Sequence, residues 1–116
     1  MKNTVQMISY DCLTNPGGRK LNEDSLGILI KSDRLFFILC DGLGGHGNGD
    51  VASSYVVEQM KKFLEQGETV EDSVIYTQQE LRIKQKDENL ENSMKTTLTC
   101  LSIASEGAKF VHVGDS

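Results

Sequence analysis

The chain has 116 residues, a net charge of −5 at neutral pH, 38% hydrophobic residues, no tryptophan and a single proline. That length provides for one small domain with a modest core, and the acidic balance argues against nucleic acid or an anionic membrane surface as the main partner while favouring bound cations. No apolar run approaches the ~20 residues that a membrane span requires, and the first six residues lack the apolar core of a secretory signal, so the cytoplasm is the expected location.

Residues 5–10 (V-Q-M-I-S-Y) predict a first strand, closed by the turn-rich Asn15-Pro16-Gly17-Gly18. A polar segment of both charge signs follows, Arg19-Lys20-Leu21-Asn22-Glu23-Asp24. Residues 25–31 (S-L-G-I-L-I-K) and 35–40 (L-F-F-I-L-C) read as two strands joined by the short connection Ser32-Asp33-Arg34. In an antiparallel hairpin the start of one strand lies beside the end of the other. Glu23-Asp24 and Asp41 are therefore expected to converge.

The second of these strands runs into C-D-G-L-G-G-H-G-N-G at 40–49, where five of the eight residues from Gly42 to Gly49 are glycine. A backbone so free of side chains can turn sharply and bring its carbonyl and amide groups close to an ion. From 50 to 66, Ala52, Tyr55, Val56, Gln59, Met60 and Phe63 recur at helical spacing, and Gly67 supplies a stop. Thr69 followed by Asp72 marks a second helix start. The polar segment to about Asn89 has a thin apolar stripe, Val70, Val74 and Leu81, which predicts an exposed helix packed along one edge. Residues 96–104 (T-T-L-T-C-L-S-I-A) are rich in β-branched side chains. Ser105-Glu106-Gly107 turns this strand into a last one at 109–113, and the chain closes on Gly114-Asp115-Ser116. Three strands, two helices and two strands in that order predict an α+β fold with mainly antiparallel sheet.

The three cysteines, Cys12, Cys40 and Cys100, show no C-x-x-C spacing and each lies in or beside an apolar run. They read as small buried hydrophobes. A catalytic thiol at Cys40 is the sharper alternative, disfavoured by the carboxylate of Asp41 next to it.

The polar residues that flank the strands are Arg19, Glu23, Asp24, Asp41, His46 and Asp115. Carboxylate and carbonyl oxygens suit hard divalent cations such as Mg²⁺ or Mn²⁺. A pair of such ions can activate a shared water against phosphorus, a guanidinium offers a planar fork for phosphate, and a histidine can protonate a leaving alkoxide. The set is coherent as phosphate-ester hydrolysis. A phosphoryl-transfer or nucleotide-binding loop at 42–49 ranks below it, because the G-K-[ST] ending is missing. Taken without a motif, Arg19 can also be read as a solvated charge, Glu23-Asp24 as an exposed acidic pair, His46 as a loop residue and Asp115 as a turn aspartate, while His112 reads as a packed or edge histidine rather than a ligand.

At these residues the chain resembles the metal-dependent protein phosphatases of the protein phosphatase 2C (PPM) family, particularly the bacterial members. R-x-x-N-E-D at 19–24, D-G-x-G-G-H at 41–46, T-T-L at 96–98 and V-G-D-S at 113–116 recur there in this order and approximate spacing. Each motif alone is weak; four in register are highly specific. The resemblance implies the N-terminal part of a four-layer α-β-β-α sandwich with antiparallel sheets, and two Mn²⁺ or Mg²⁺ at one edge. It implies Asp24 and Asp41 as metal ligands with the Gly42 carbonyl in the same cluster, and Glu23 holding a metal-bound water in the outer shell. It further implies Arg19 on the substrate phosphate, His46 as general acid, and Asp115 at a third, more weakly held metal. The implied reaction is hydrolysis of phosphoserine and phosphothreonine in protein substrates by a metal-bridging hydroxide, opposing a Ser/Thr kinase. A non-catalytic phosphatase-like regulatory or binding module is the alternative. Lys95 stands where the family often has glycine, at a strand entry where little effect is expected. Residues 1–116 are expected to be an incomplete domain, its N-terminal half, with the later strands and metal-binding aspartates absent and the isolated chain inactive.

Overall fold

The computed structural model describes residues 24–43, 48–90 and 94–114. Four strands, β1 (Asp24–Lys31), β2 (Arg34–Asp41), β3 (Leu98–Ala104) and β4 (Gly107–Val113), form one antiparallel sheet in the order β1-β2-β3-β4. Two helices, α1 (Gly49–Glu65) and α2 (Val70–Asp87), connect β2 to β3. The fold is α+β, as the element order predicts. The strand expected at 5–10 lies outside the described residues.

Both hairpins are tight. Lys31 opposes Arg34 across Ser32-Asp33, and Ala104 opposes Gly107 across Ser105-Glu106. Gly107 sits at φ +145°, a conformation that a side chain would resist. The last strand accordingly begins at Gly107, two residues earlier than the apolar pattern from Lys109 suggests. β3 begins at Leu98, two residues later than its β-branched run, although Thr96 still makes an isolated bridge to Gly42.

Helix α1 runs alongside β1 in the same direction. Ser25 Oγ lies 2.9 Å from Ser53 Oγ, Gly27 faces Val57, and Lys31 Nζ donates to the carbonyls of Leu64 at 3.2 Å and Glu65 at 3.4 Å. Lys31 thereby adds a donor to the last carbonyls and a positive charge to the negative dipole end of α1. The helix buries Ala52, Val56, Val57, Met60 and Leu64, spaced so that one stripe faces the sheet. Burying a side chain the size of Met60 or Leu64 stabilises the fold by roughly 1.5–3 kcal/mol each.

Gly67, at φ +96°, ends α1 with its N–H on Leu64 O (3.0 Å), while Glu68 N–H reaches Phe63 O (3.1 Å). That pair of bonds with a left-handed glycine is a standard helix C-terminus. Thr69 then caps α2, its hydroxyl accepting from Asp72 N–H at 3.0 Å. Asn89, at φ +56°, closes α2 in the same way as Gly67 closes α1, with N–H bonds from Asn89 to Lys86 O and from Leu90 to Gln85 O. α2 packs mainly on α1. It adds Val70 and Val74 to the core and leaves Ile75 and Ile83 exposed, as its thin stripe predicts.

Side chains alternate across the sheet. The face toward the helices carries Phe36, Ile38, Cys40, Leu98 and Cys100, all buried in one cluster with α1 and α2. By the same alternation the opposite face carries Leu26, Ile28, Ile30, Phe37, Leu39 and Phe110, of which Ile30 and Phe110 are 68% and 65% exposed. Asp24 and Asp41 stand at one end of that second face.

Candidate functional site

The hairpin register sets Asp24 directly opposite Asp41. Side chains so opposed have their Cβ atoms about 4.5–5.5 Å apart on a common face, within reach of one divalent ion with metal–oxygen bonds of about 2.1 Å. Like charges directly opposite disfavour the pairing, and a cation between them would offset this. The convergence expected from the strand order is therefore present in the backbone. Gly42, buried and next in chain, adds a carbonyl oxygen at the same strand end. This donor set is all oxygen, hard and anionic, and fits Mg²⁺ or Mn²⁺.

Three elements hold this strand end. β1 presents Asp24, with Ser25 beside it tied to Ser53 in the first turns of α1, where Ser53 Oγ also donates to Asp50 O at 3.2 Å. β2 presents Asp41, followed by the glycine-rich return to α1. The segment before β3 pins the end of β2: Leu43 N–H donates to Lys95 O at 2.9 Å and Thr97 N–H to Asp41 O at 3.0 Å. Lys95 contributes its backbone carbonyl here and is itself exposed.

Arg19, Glu23, His46 and Asp115 lie outside the described residues, so the structure brings together Asp24, Asp41 and Gly42 of the expected set. Among the described residues no group of three or more His, Cys, Asp or Glu side chains could hold a metal. His112 is exposed on β4, with Nδ1 2.7 Å from Thr99 Oγ1, an edge histidine.

Cys40 and Cys100 are free and fully buried. Burial, and secondarily the neighbouring Cys100, pushes the Cys40 thiol up to about 12, and burial pushes Cys100 up to about 11. Both stay protonated and packed, which disfavours a catalytic thiol. Cys12 is outside the described residues. The sequence reading gave no role to Gly27, Ser25, Lys31 or Thr97. Only Thr97 had a signal, as part of the T-T-L motif.

The family model for protein phosphatase 2C matches residues 18–116. Among solved structures, the serine/threonine phosphatase Stp1 from Staphylococcus aureus is similar over 100% of this chain and 52% of its own, with TM-score 0.71 and 24% identity. A bacterial serine phosphatase bearing an arginine-to-glutamate mutation is similar over 90% of this chain and 52% of its own, with TM-score 0.69 and 30% identity. RsbX, crystallised in complex with magnesium, is similar over 89% of this chain and 47% of its own, with TM-score 0.62 and 19% identity. No curated protein sequence matches. The chain thus spans about half the length of the structures it resembles. No helix among the described residues is long and apolar enough to cross a membrane. With a family model covering all four motifs and the β1–β2 register that opposes Asp24 to Asp41, the chain belongs to the protein phosphatase 2C family.

Proposed function

We propose that residues 1–116 form the N-terminal half of the catalytic domain of a metal-dependent phosphoserine/phosphothreonine protein phosphatase acting in the cytoplasm against a Ser/Thr kinase. The observation that carries this reading is the register opposing Asp24 to Asp41, with the Gly42 carbonyl next in chain. Asp24, Asp41 and Gly42 would hold Mn²⁺ or Mg²⁺, with Asp115 at a further, weaker position. A divalent cation there supplies positive charge against the phosphoryl oxygens and lowers the pKa of a water beside them.

The chain's own residues divide the remaining work. Arg19 binds the phosphate through its planar fork and orients the phosphorus. Glu23 accepts a hydrogen bond from water and fixes its direction. The water, its proton released to solvent, bonds through its oxygen to phosphorus as the phosphorus–oxygen bond to the serine or threonine breaks. His46 gives its proton to the departing alkoxide oxygen. Because water is the attacking group, the reaction is a direct displacement with no phosphoenzyme.

The test is phosphopeptide hydrolysis by a phosphatase domain of full family length that carries this sequence. Asp41→Asn is expected to abolish Mn²⁺-dependent turnover with the fold intact by circular dichroism. Arg19→Ala is expected mainly to raise KM, because phosphate is held alike in the ground and transition states, and Arg19→Lys to restore it only in part. Turnover by Asp41→Asn in excess chelator would reject the metal reading, and a wild-type domain that binds phosphopeptide without hydrolysing it would favour the non-catalytic module.

A further inference from the structure

The β2–β3 ladder runs past its last regular pair. Leu39 opposes Thr99, which places Asp41 opposite Thr97 and Gly42 opposite Thr96, the pair that forms the isolated bridge. At the Asp41 rung one bond is ordinary, Thr97 N–H to Asp41 O at 3.0 Å. The return bond is not. Asp41 N–H donates to the side chain of Thr97, at 3.2 Å from Oγ1, and that hydroxyl also lies 3.4 Å from Asp41 O. The Thr97 carbonyl, the usual acceptor in such a pair, instead accepts from Thr96 Oγ1 at 2.8 Å. The two adjacent threonines thus exchange a backbone acceptor for a hydroxyl, and the regular strand starts one residue later, at Leu98.

A second strand end meets the same side chain. Gly114, at φ +123°, lies so close to Thr97 that a Cβ there would stand 2.9 Å from Thr97 Cγ2 and 3.1 Å from its Cα and Cβ. Thr97 therefore bonds the backbone of Asp41 and lies close against Gly114, the residue before Asp115 in sequence.

We propose that Thr97 is the positioning residue of the metal centre, its hydroxyl fixing the backbone at Asp41 and its methyl face setting the approach of the Gly114 turn. Thr96 supports this by donating to the Thr97 carbonyl, the acceptor that the Asp41 N–H would otherwise use. The inference rests on the metal-site reading above. A partner that orients a metal ligand typically affects metal affinity 10–100-fold, and a backbone held at its last rung has the same leverage on a carboxylate of two rotatable bonds.

The test uses a phosphatase domain of full family length that carries this sequence, by amide hydrogen exchange and by broadening of amide resonances in a Mn²⁺ titration. Thr97→Val keeps the shape and removes the hydroxyl, Thr97→Cys offers a weaker acceptor, and Thr97→Ser keeps the hydroxyl. The expected result is ~10-fold weaker Mn²⁺ binding in Thr97→Val, with faster exchange at the Asp41 amide but not at Ile38. Thr97→Cys should fall between, and Thr97→Ser should behave as wild type. Should Thr97→Val unfold, the order of Ser against Cys decides. Equal affinity and exchange across the series would overturn the role of Thr97 while leaving the metal reading standing. A wild-type domain of that length with no Mn²⁺ broadening near Asp24 or Asp41 would instead remove the metal reading, and the positioning role with it.

Discussion

Gly27 is a glycine for reasons of space. A Cβ built on it would lie 2.5 Å from Val57 Cγ1 and 3.3 Å from Lys61 Cδ. Lys61 can swing away, but Val57 is 4% exposed and stiff about χ1. Two effects oppose each other in Gly27→Ala. Reducing unfolded-state freedom stabilises by about 0.4–1 kcal/mol, whereas forcing a methyl into a packed site costs about 1–3 kcal/mol. Overpacking wins, and the variant should be about 1 kcal/mol less stable by urea unfolding. Gly27→Ala with Val57→Ala should show favourable coupling, because the second change vacates the contested volume; additive losses would show that the two residues do not meet. In sequence, Gly27 is one small residue inside an apolar run, and nothing local distinguishes a packing glycine from a weak point in a strand. The carboxylates differ in this respect. Asp24 and Asp41 flank two strands joined by a short connection, so their convergence follows from hairpin geometry, while the exact register rests on a two-residue turn with Arg34 already in β2.

At the scale of elements, the chain's punctuation was readable because it is local. Gly67, Thr69 and Asp72 are consecutive instructions to end one helix and begin the next, and each acts within four residues of itself. Thr69→Ala removes the acceptor for Asp72 N–H and should cost about 1 kcal/mol, seen as a lower midpoint in thermal unfolding. Thr69→Ser should lose only a fraction of this; a Thr69→Ala chain as stable as wild type would mean that water or Glu71 takes over the cap. The start of β3 was misread because its decision is not local. The run from Thr96 has the composition of a strand, but whether Thr97 pairs through its carbonyl or its hydroxyl depends on Asp41, 56 positions earlier. Lys31 is a similar case, a strand residue whose ammonium serves the end of a helix more than thirty positions later.

At the scale of the whole molecule, the sheet has one face covered and one that remains apolar. α1 and α2 bury the Phe36, Ile38 and Cys100 side, whereas Leu26, Leu39, Ile30 and Phe110 are each more than a third exposed. Apolar patches of several hundred Å² on a soluble domain generally meet another surface, and among the described residues β1 and β4 are the edge strands of the sheet. The 116-residue chain alone should therefore self-associate, which sedimentation velocity would show as mass rising with concentration. Leu39→Lys and Phe110→Lys on that face should reduce the association, whereas Ile83→Lys on the outer side of α2 should not. The same chain should hydrolyse p-nitrophenyl phosphate poorly in millimolar Mn²⁺. A cation that takes about six oxygens draws only two carboxylates and a carbonyl from the described strand end and must fill the rest from water, so binding is weak and the reacting water poorly aimed. Robust, chelator-sensitive turnover by a monomeric 116-residue chain would contradict both expectations at once, since it would require a completed metal shell and a covered face within these residues.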